Sequence, residues 1–259
     1  MRILGFSGKA KAGKSYGATF AMGKFLFDMK RIRTFAIDKD EVLNVWDMED
    51  DDESQPVSLP INRIKYLDME TQNLFYNAVF RFTNTIAFAD PLKEHCVKVL
   101  GLPWESVYGT NEQKNEPLEH IKWENFSHIK YKLKPGEKKK SGPMTGREVQ
   151  QFVGTELYRT INPNIWVKSW ERQVESSGSE IVFVPDVRFS EEVDAIQSKG
   201  GKVIRLMRAP VPSNHESETA LDEDKFDHSK FDFILDNRET NIEEYCNQLE
   251  EIINGLGWI

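Results

Sequence analysis

The chain has 259 residues, enough for one large or two small domains, and 39% hydrophobic with 29% charged content marks a soluble globular protein. A net charge of −8 excludes a general electrostatic grip on nucleic acid, though not a small anion held by local positive charge. The two cysteines, Cys96 and Cys246, lack metal or redox spacing, and no apolar run has signal-peptide or membrane-spanning length, so a cytoplasmic setting without a membrane partner is expected.

Arg2–Ser7 (RILGFS) reads as a short buried strand running into a glycine-rich loop. Lys14 to Lys30 then carry Phe20, Met22, Phe25, Leu26 and Met29 at helical spacing. Arg33–Ile37 (RTFAI) predicts another strand, and the acidic run MEDDDESQP a solvent loop. Ile86–Ala89 (IAFA) predicts a strand ended by Asp90-Pro91, with a helix over Lys93–Leu100. Tyr131–Pro143 (YKLKPGEKKKSGP) reads as a flexible loop. Helices are predicted over Thr145–Thr155 and Trp166–Val174. Glu180–Val184 (EIVFV) is the clearest buried strand, ended by Pro185-Asp186, and a helix follows over Glu191–Lys199. Lys202–Leu206 and Phe233–Leu235 predict two more strands, and Asn241–Ile253 an amphipathic final helix. Apolar strands alternating with helices call for an α/β fold: a parallel sheet with helices on both faces.

Gly8-Lys9-Ala10-Lys11-Ala12-Gly13-Lys14-Ser15 matches G-x-x-x-x-G-K-[ST] at every specified place, between a strand and a helix. Glycines permit positive φ and close approach, so successive N–H groups can point at phosphate oxygens, and the helix N-terminus adds positive potential. Lys14 would reach the β- and γ-phosphates and Ser15 would hold Mg²⁺. Lys9 and Lys11 read equally as loop contacts or solvated surface lysines, and Tyr16 closes the segment expected to meet the nucleotide.

A second constellation is TGREVQQFVGTELYRTINPNIWV. Arg147, Gln150 and Gln151 lie within about one helical turn, followed by Arg159 and Trp166. A guanidinium fork, amides and an indole face suit a nucleoside monophosphate, and a surface helix with a buried tryptophan is the competing reading. A third is VPDVRFSEEVDAI, where Asp186 follows a buried strand, the place where open α/β sheets bind ligands. Arg188 and Glu192 are either part of that site or a surface ion pair. Asp90 in FADPLKEH has the same strand-end placement, with Lys93 after it. A carboxylate there would take an acceptor's proton or hold a Mg²⁺ water, or else cap a helix.

FADPLK, VYGTNEQKNEP, TGREVQQFVGTE with NIWV, PDVRFSEEVDAI, GGKVIRLMR, HESETAL and FDFILDN together resemble the deoxynucleoside monophosphate kinases of tailed bacteriophages. The resemblance runs in order from about Ile86 to Asn237, with the glycine loop matching at the start. It implies a P-loop, nucleoside-monophosphate-kinase-like fold over 1–259, with an insertion at about 32–85 and an acceptor-binding or lid region at about 101–175. It implies ATP with Mg²⁺ as donor, a deoxynucleoside 5′-monophosphate as acceptor, host cytoplasm as location, a homodimer, and no stable nucleic-acid binding. Carried over, Arg147 and Gln151 contact the acceptor, Trp166 lines its pocket, Arg188 and Glu192 lie beside it, and Lys14 and Ser15 serve the donor. Where Ser15 stands, some relatives carry an acidic residue, and Ile32–Thr85 has no counterpart among them.

The expected reaction aligns two anions and neutralises the charge between them, with Lys14, Arg188, Asp186 and Asp90 as the catalytic candidates. Lys132–Gly142 or Arg205–Ser217 would close over the site. Two other readings stay open: a P-loop ATPase or regulatory switch, and a kinase of another small phosphorylated acceptor, similar to dephospho-CoA kinase.

Overall fold

A computed structural model describes residues 1–47, 55–59, 61, 67–126, 140–209 and 215–258. Residues 48–54 of the acidic run, 131–139 of the lysine-rich loop and 210–214 of the second closing candidate lie outside the described residues. Contacts divide the chain into two compact units: Met1–Phe88 with Trp170–Ile259, and Ala89–Ser169.

The first unit is built on a five-stranded sheet in the order Phe233–Leu235, Lys202–Leu206, Arg2–Ser7, Ile181–Val187, Thr83–Thr85, with every neighbouring pair parallel. Its central strands are apolar almost throughout because both faces are covered. Leu4, Phe6, Phe183 and Leu206 pack with residues of the helices Lys14–Asp28 and Ile242–Gly255. On the other face the helix Ser190–Ser198 packs Ile196 against Gly5, where a Cβ would come within 2.7 Å of the Ile196 side chain. This mixed α/β architecture is consistent with a P-loop kinase-like fold.

Three sequence expectations are corrected in this unit. The strand expected at Ile86–Ala89 lies instead at Thr83–Thr85. Ile86 still donates to the Phe183 carbonyl, but its own carbonyl accepts from the indole of fully buried Trp170 at 3.1 Å, and the Phe88 N–H goes to Asp186 at 2.8 Å. Side chains thus take the backbone groups that would have continued the ladder. The Phe88 and Trp170 rings lie 4.6 Å apart, clasping the places where the chain leaves this unit and returns to it. Second, Pro185-Asp186 does not end its strand, which runs on to Val187. The register steps from Gly5 opposite Val184 to Ser7 opposite Val187, so a bulge absorbs the proline, which cannot donate to a ladder. Third, Thr34–Ile37 joins a separate antiparallel sheet with Leu43–Trp46 and Val57–Ser58. Phe35 of that sheet fills the notch left by Gly23, where a Cβ would meet the ring at 2.4 Å.

The second unit packs Cys96, Val107, Leu118, Met144, Val149 and Phe152 into its own core. It contains the helix Asp90–Lys98 and an antiparallel pair, Pro117–Lys122 with Pro143–Thr145. Thr145 caps the helix Gly146–Gln151 reciprocally with Glu148, and a π-helical stretch continues it through Phe152–Tyr158.

Candidate functional site

The glycine loop joins Arg2–Ser7 to the helix Lys14–Asp28. Gly8 has φ of +153° and lies so close to the next strand that a Cβ would sit 3.1 Å from the Leu206 carbonyl oxygen. Gly13, at φ +95°, is the helix N-cap and brings no side chain to its N–H groups, leaving that end suited to an anion. Lys11 also takes positive φ, at 60°, and its side chain is exposed.

Lys14 is only 7% exposed and donates to the Gly8 carbonyl at 2.7 Å and the Lys9 carbonyl at 2.6 Å. Burial, helped by the positive charges of Arg188 and Arg205, pulls its ammonium down to about 7, against the opposing pull of Glu218 and Asp186. A buried cation among guanidinium groups is an environment that an anionic ligand would stabilise. Arg188 donates to the Ser217 carbonyl at 3.4 Å and pairs with the Glu218 carboxylate, which also accepts the Ala10 N–H at 2.6 Å. Lys9 is paired with Asp222 at 2.9 Å. Arg205, buried beneath the loop, donates to the Ser7 hydroxyl at 3.1 Å and lies 3.8 Å from Asp222. Buried Asn237 donates to the Ala12 carbonyl at 2.8 Å and Tyr245 to the Gly13 carbonyl at 3.0 Å.

The structure therefore brings Lys14, Asp186 and Arg188 into one electrostatic neighbourhood. Glu192, 2% exposed, spends its carboxylate on the N–H groups of Arg188 at 2.7 Å and Phe189 at 3.1 Å. Ser15 is exposed on the first turn. Tyr16 packs 6.3 Å from the Tyr245 ring and accepts from the Cys246 thiol, and burial first, then Cys246, pushes its hydroxyl up to about 12.

The other expected residues lie in the second unit. Asp90 is the first residue of its helix, and Lys93 sits 3.9 Å from Asp90 and 5.4 Å from the Tyr108 ring centre. Arg147 is held by Asn115 at 3.1 Å and Asn111 at 2.7 Å. Gln150 donates to the Gly146 carbonyl at 3.2 Å and the Ser106 carbonyl at 3.4 Å, and Gln151 is half-buried. Trp166 is buried with its indole N–H on the Gly154 carbonyl at 2.9 Å. Glu218, Asp222, Arg205, Asn237 and Tyr245 were not foreseen. Glu218 lies in HESETAL, Arg205 in GGKVIRLMR and Asn237 at the end of FDFILDN, whereas Asp222 and Tyr245 lie in none of the stretches that carry the resemblance.

No family model matches the chain. A protein of Acanthamoeba polyphaga mimivirus, carrying the provisional name deoxynucleotide monophosphate kinase, is 31% identical over 177 residues, covering 63% of this chain and 79% of the relative. The chain belongs to this kinase family. The match supports the family as a whole rather than its bacteriophage members in particular. Among the described residues no helix is long and apolar enough to cross a membrane.

Proposed function

We propose that the protein transfers the terminal phosphoryl group of ATP to a deoxynucleoside 5′-monophosphate, giving the diphosphate. The observation that carries this is buried Lys14 on the Gly8–Ser15 loop, with Arg188 tied to the same loop through Glu218, in a chain of the deoxynucleotide monophosphate kinase family. Loop N–H groups and Lys14 hold the donor phosphates, and Arg188 meets charge on the transferred group. Mg²⁺ is ordinarily held by one or two protein oxygens together with substrate phosphates, and the exposed Ser15 hydroxyl at the helix start fits one such contact. Bound there, the ion would screen the phosphate charges. Asp186, which acts electrostatically on Lys14, is the carboxylate of this neighbourhood that would serve the acceptor's proton. Acceptor recognition is assigned to Arg147, Gln150, Gln151 and Trp166, with Lys93, and Glu192 acts as a positioning residue through the Arg188 backbone.

The test is a coupled ADP-release assay with each deoxynucleoside monophosphate in turn. ADP release should be slow alone and jump with at least one acceptor, with diphosphate appearing in step. Equal release without acceptor, or release only with DNA or a protein, would favour an ATPase or switch. A response to dephospho-CoA alone would move the acceptor class.

A further inference from the structure

Glu218 lies 208 positions from the loop residue it touches, and its side chain is 7% exposed. One carboxylate oxygen takes the Ala10 N–H at 2.6 Å and the other pairs with the Arg188 guanidinium. These are a loop N–H and a cation that the proposed function gives to phosphate oxygens. Asp222, four residues on, holds Lys9 at 2.9 Å and lies 3.8 Å from Arg205. Lys14 donates to loop carbonyls at 2.7 and 2.6 Å.

We infer that Glu218 sets the affinity threshold of the glycine loop: its carboxylate competes for Ala10 and Arg188 with any anion that enters. This rests on the reading that the loop binds phosphate. A ligand must bring more charge and more acceptor oxygens than one carboxylate, because it must replace two charge-assisted contacts and leave Glu218 to find water. A polyphosphate spanning the loop N–H groups, Lys14 and Arg188 meets that requirement. A single phosphate meets the same displacement with fewer contacts to set against it, so Glu218 weakens all phosphate ligands alike and leaves only a polyphosphate bound at low concentration. A ligand without phosphate is indifferent to the residue.

The test is calorimetric titration of tripolyphosphate, orthophosphate and adenosine into the full chain and its Glu218→Gln, Glu218→Asp and Lys14→Ala variants. Glutamine keeps the shape and one acceptor oxygen but loses the charge that holds Arg188. Glu218→Gln should bind tripolyphosphate about tenfold more tightly or better, a gain of about 1.4 kcal/mol, and leave adenosine unchanged. Orthophosphate should gain by the same factor, and Glu218→Asp should stay near the unsubstituted chain. In the unsubstituted chain, tripolyphosphate should shift the Ala10 amide resonance and speed amide exchange over 216–219, a readout that needs no variant. If Lys14→Ala abolishes tripolyphosphate binding but Glu218→Gln binds no better, or if exchange over 216–219 is unchanged, the inference falls and the loop reading stands. If tripolyphosphate binds no form of the chain, or binds regardless of Lys14, both fall.

Discussion

Lys14 links stability to pH in a direction opposite to a salt-bridged lysine. Its ordinary value is 10.5 and the folded chain holds it at about 7, so between those values the unfolded chain binds more protons. Stability must therefore rise with pH across that window as the penalty for a buried charge is relieved. Lys14→Met removes this term. Urea unfolding at about pH 7 and about pH 10 should show the native chain gaining on the variant, by no more than about 5 kcal/mol. A pH-independent difference would mean Lys14 is not desolvated. The same variant should lose about a hundred- to a thousandfold in turnover on the proposed reaction, measured by ADP release. The two arginines give a second prediction. Arg147→Lys should raise KM for the monophosphate about tenfold with KM for ATP unchanged, because an ammonium cannot copy a fork. Arg188→Ala should lower kcat as well, and steady-state kinetics with each substrate varied separates the two. Loss of ATP affinity with the monophosphate spared would reverse the assignment.

At the scale of elements, Arg2–Ser7 and Lys202–Leu206 were legible to the residue because largely apolar runs flanked by turns suit interior parallel strands, and Phe233–Leu235, although at the edge of the sheet, is an apolar run as well. Thr83–Thr85 was not, since a polar Thr-Asn-Thr edge strand carries no apolar run, and Ile86–Ala89 beside it carries a false one. Pro185 read as a stop because a bulge depends on the partner strand, which local sequence does not contain. Glu192 reads in sequence either as an acceptor-site residue or as half of a surface ion pair with Arg188, and in the fold its carboxylate accepts the N–H groups of Arg188 and Phe189 at the entry to the helix Ser190–Ser198. Glu192→Ala should therefore cost about 3 kcal/mol, lowering Tm by about 5–10 °C in a thermal melt. Glu192→Gln, which still offers an acceptor oxygen, should melt closer to the native chain with KM for the monophosphate unchanged. A large rise in that KM would show direct contact with the acceptor.

For the whole molecule, the contacts that make the site are the ones local reading misses. Ala10 meets Glu218, Ala12 meets Asn237 and Gly13 meets Tyr245 at separations of 208, 225 and 232 residues. The loop itself was legible because its eight residues are consecutive and each has a backbone reason to be there. Net charge adds a prediction at this scale. A chain of −8 repels an incoming polyphosphate from afar, while Lys14 and Arg188 attract it only at close range. Raising ionic strength from about 0.01 to 0.1 M shortens the screening length from about 30 to about 10 Å, and so removes the distant repulsion first. KM for ATP should hold steady or fall over that range in ADP-release kinetics, and a tenfold rise would show that long-range attraction dominates. The clasp of Phe88 and Trp170, with rings 4.6 Å apart, also has a meaning for the chain as a whole. It makes 89–169 a parenthesis: text that opens and closes at one point and can be rewritten without moving the words on either side. The residues proposed for the acceptor lie inside the brackets and the glycine loop lies outside them, so under the proposed function acceptor choice can change while the donor loop is kept.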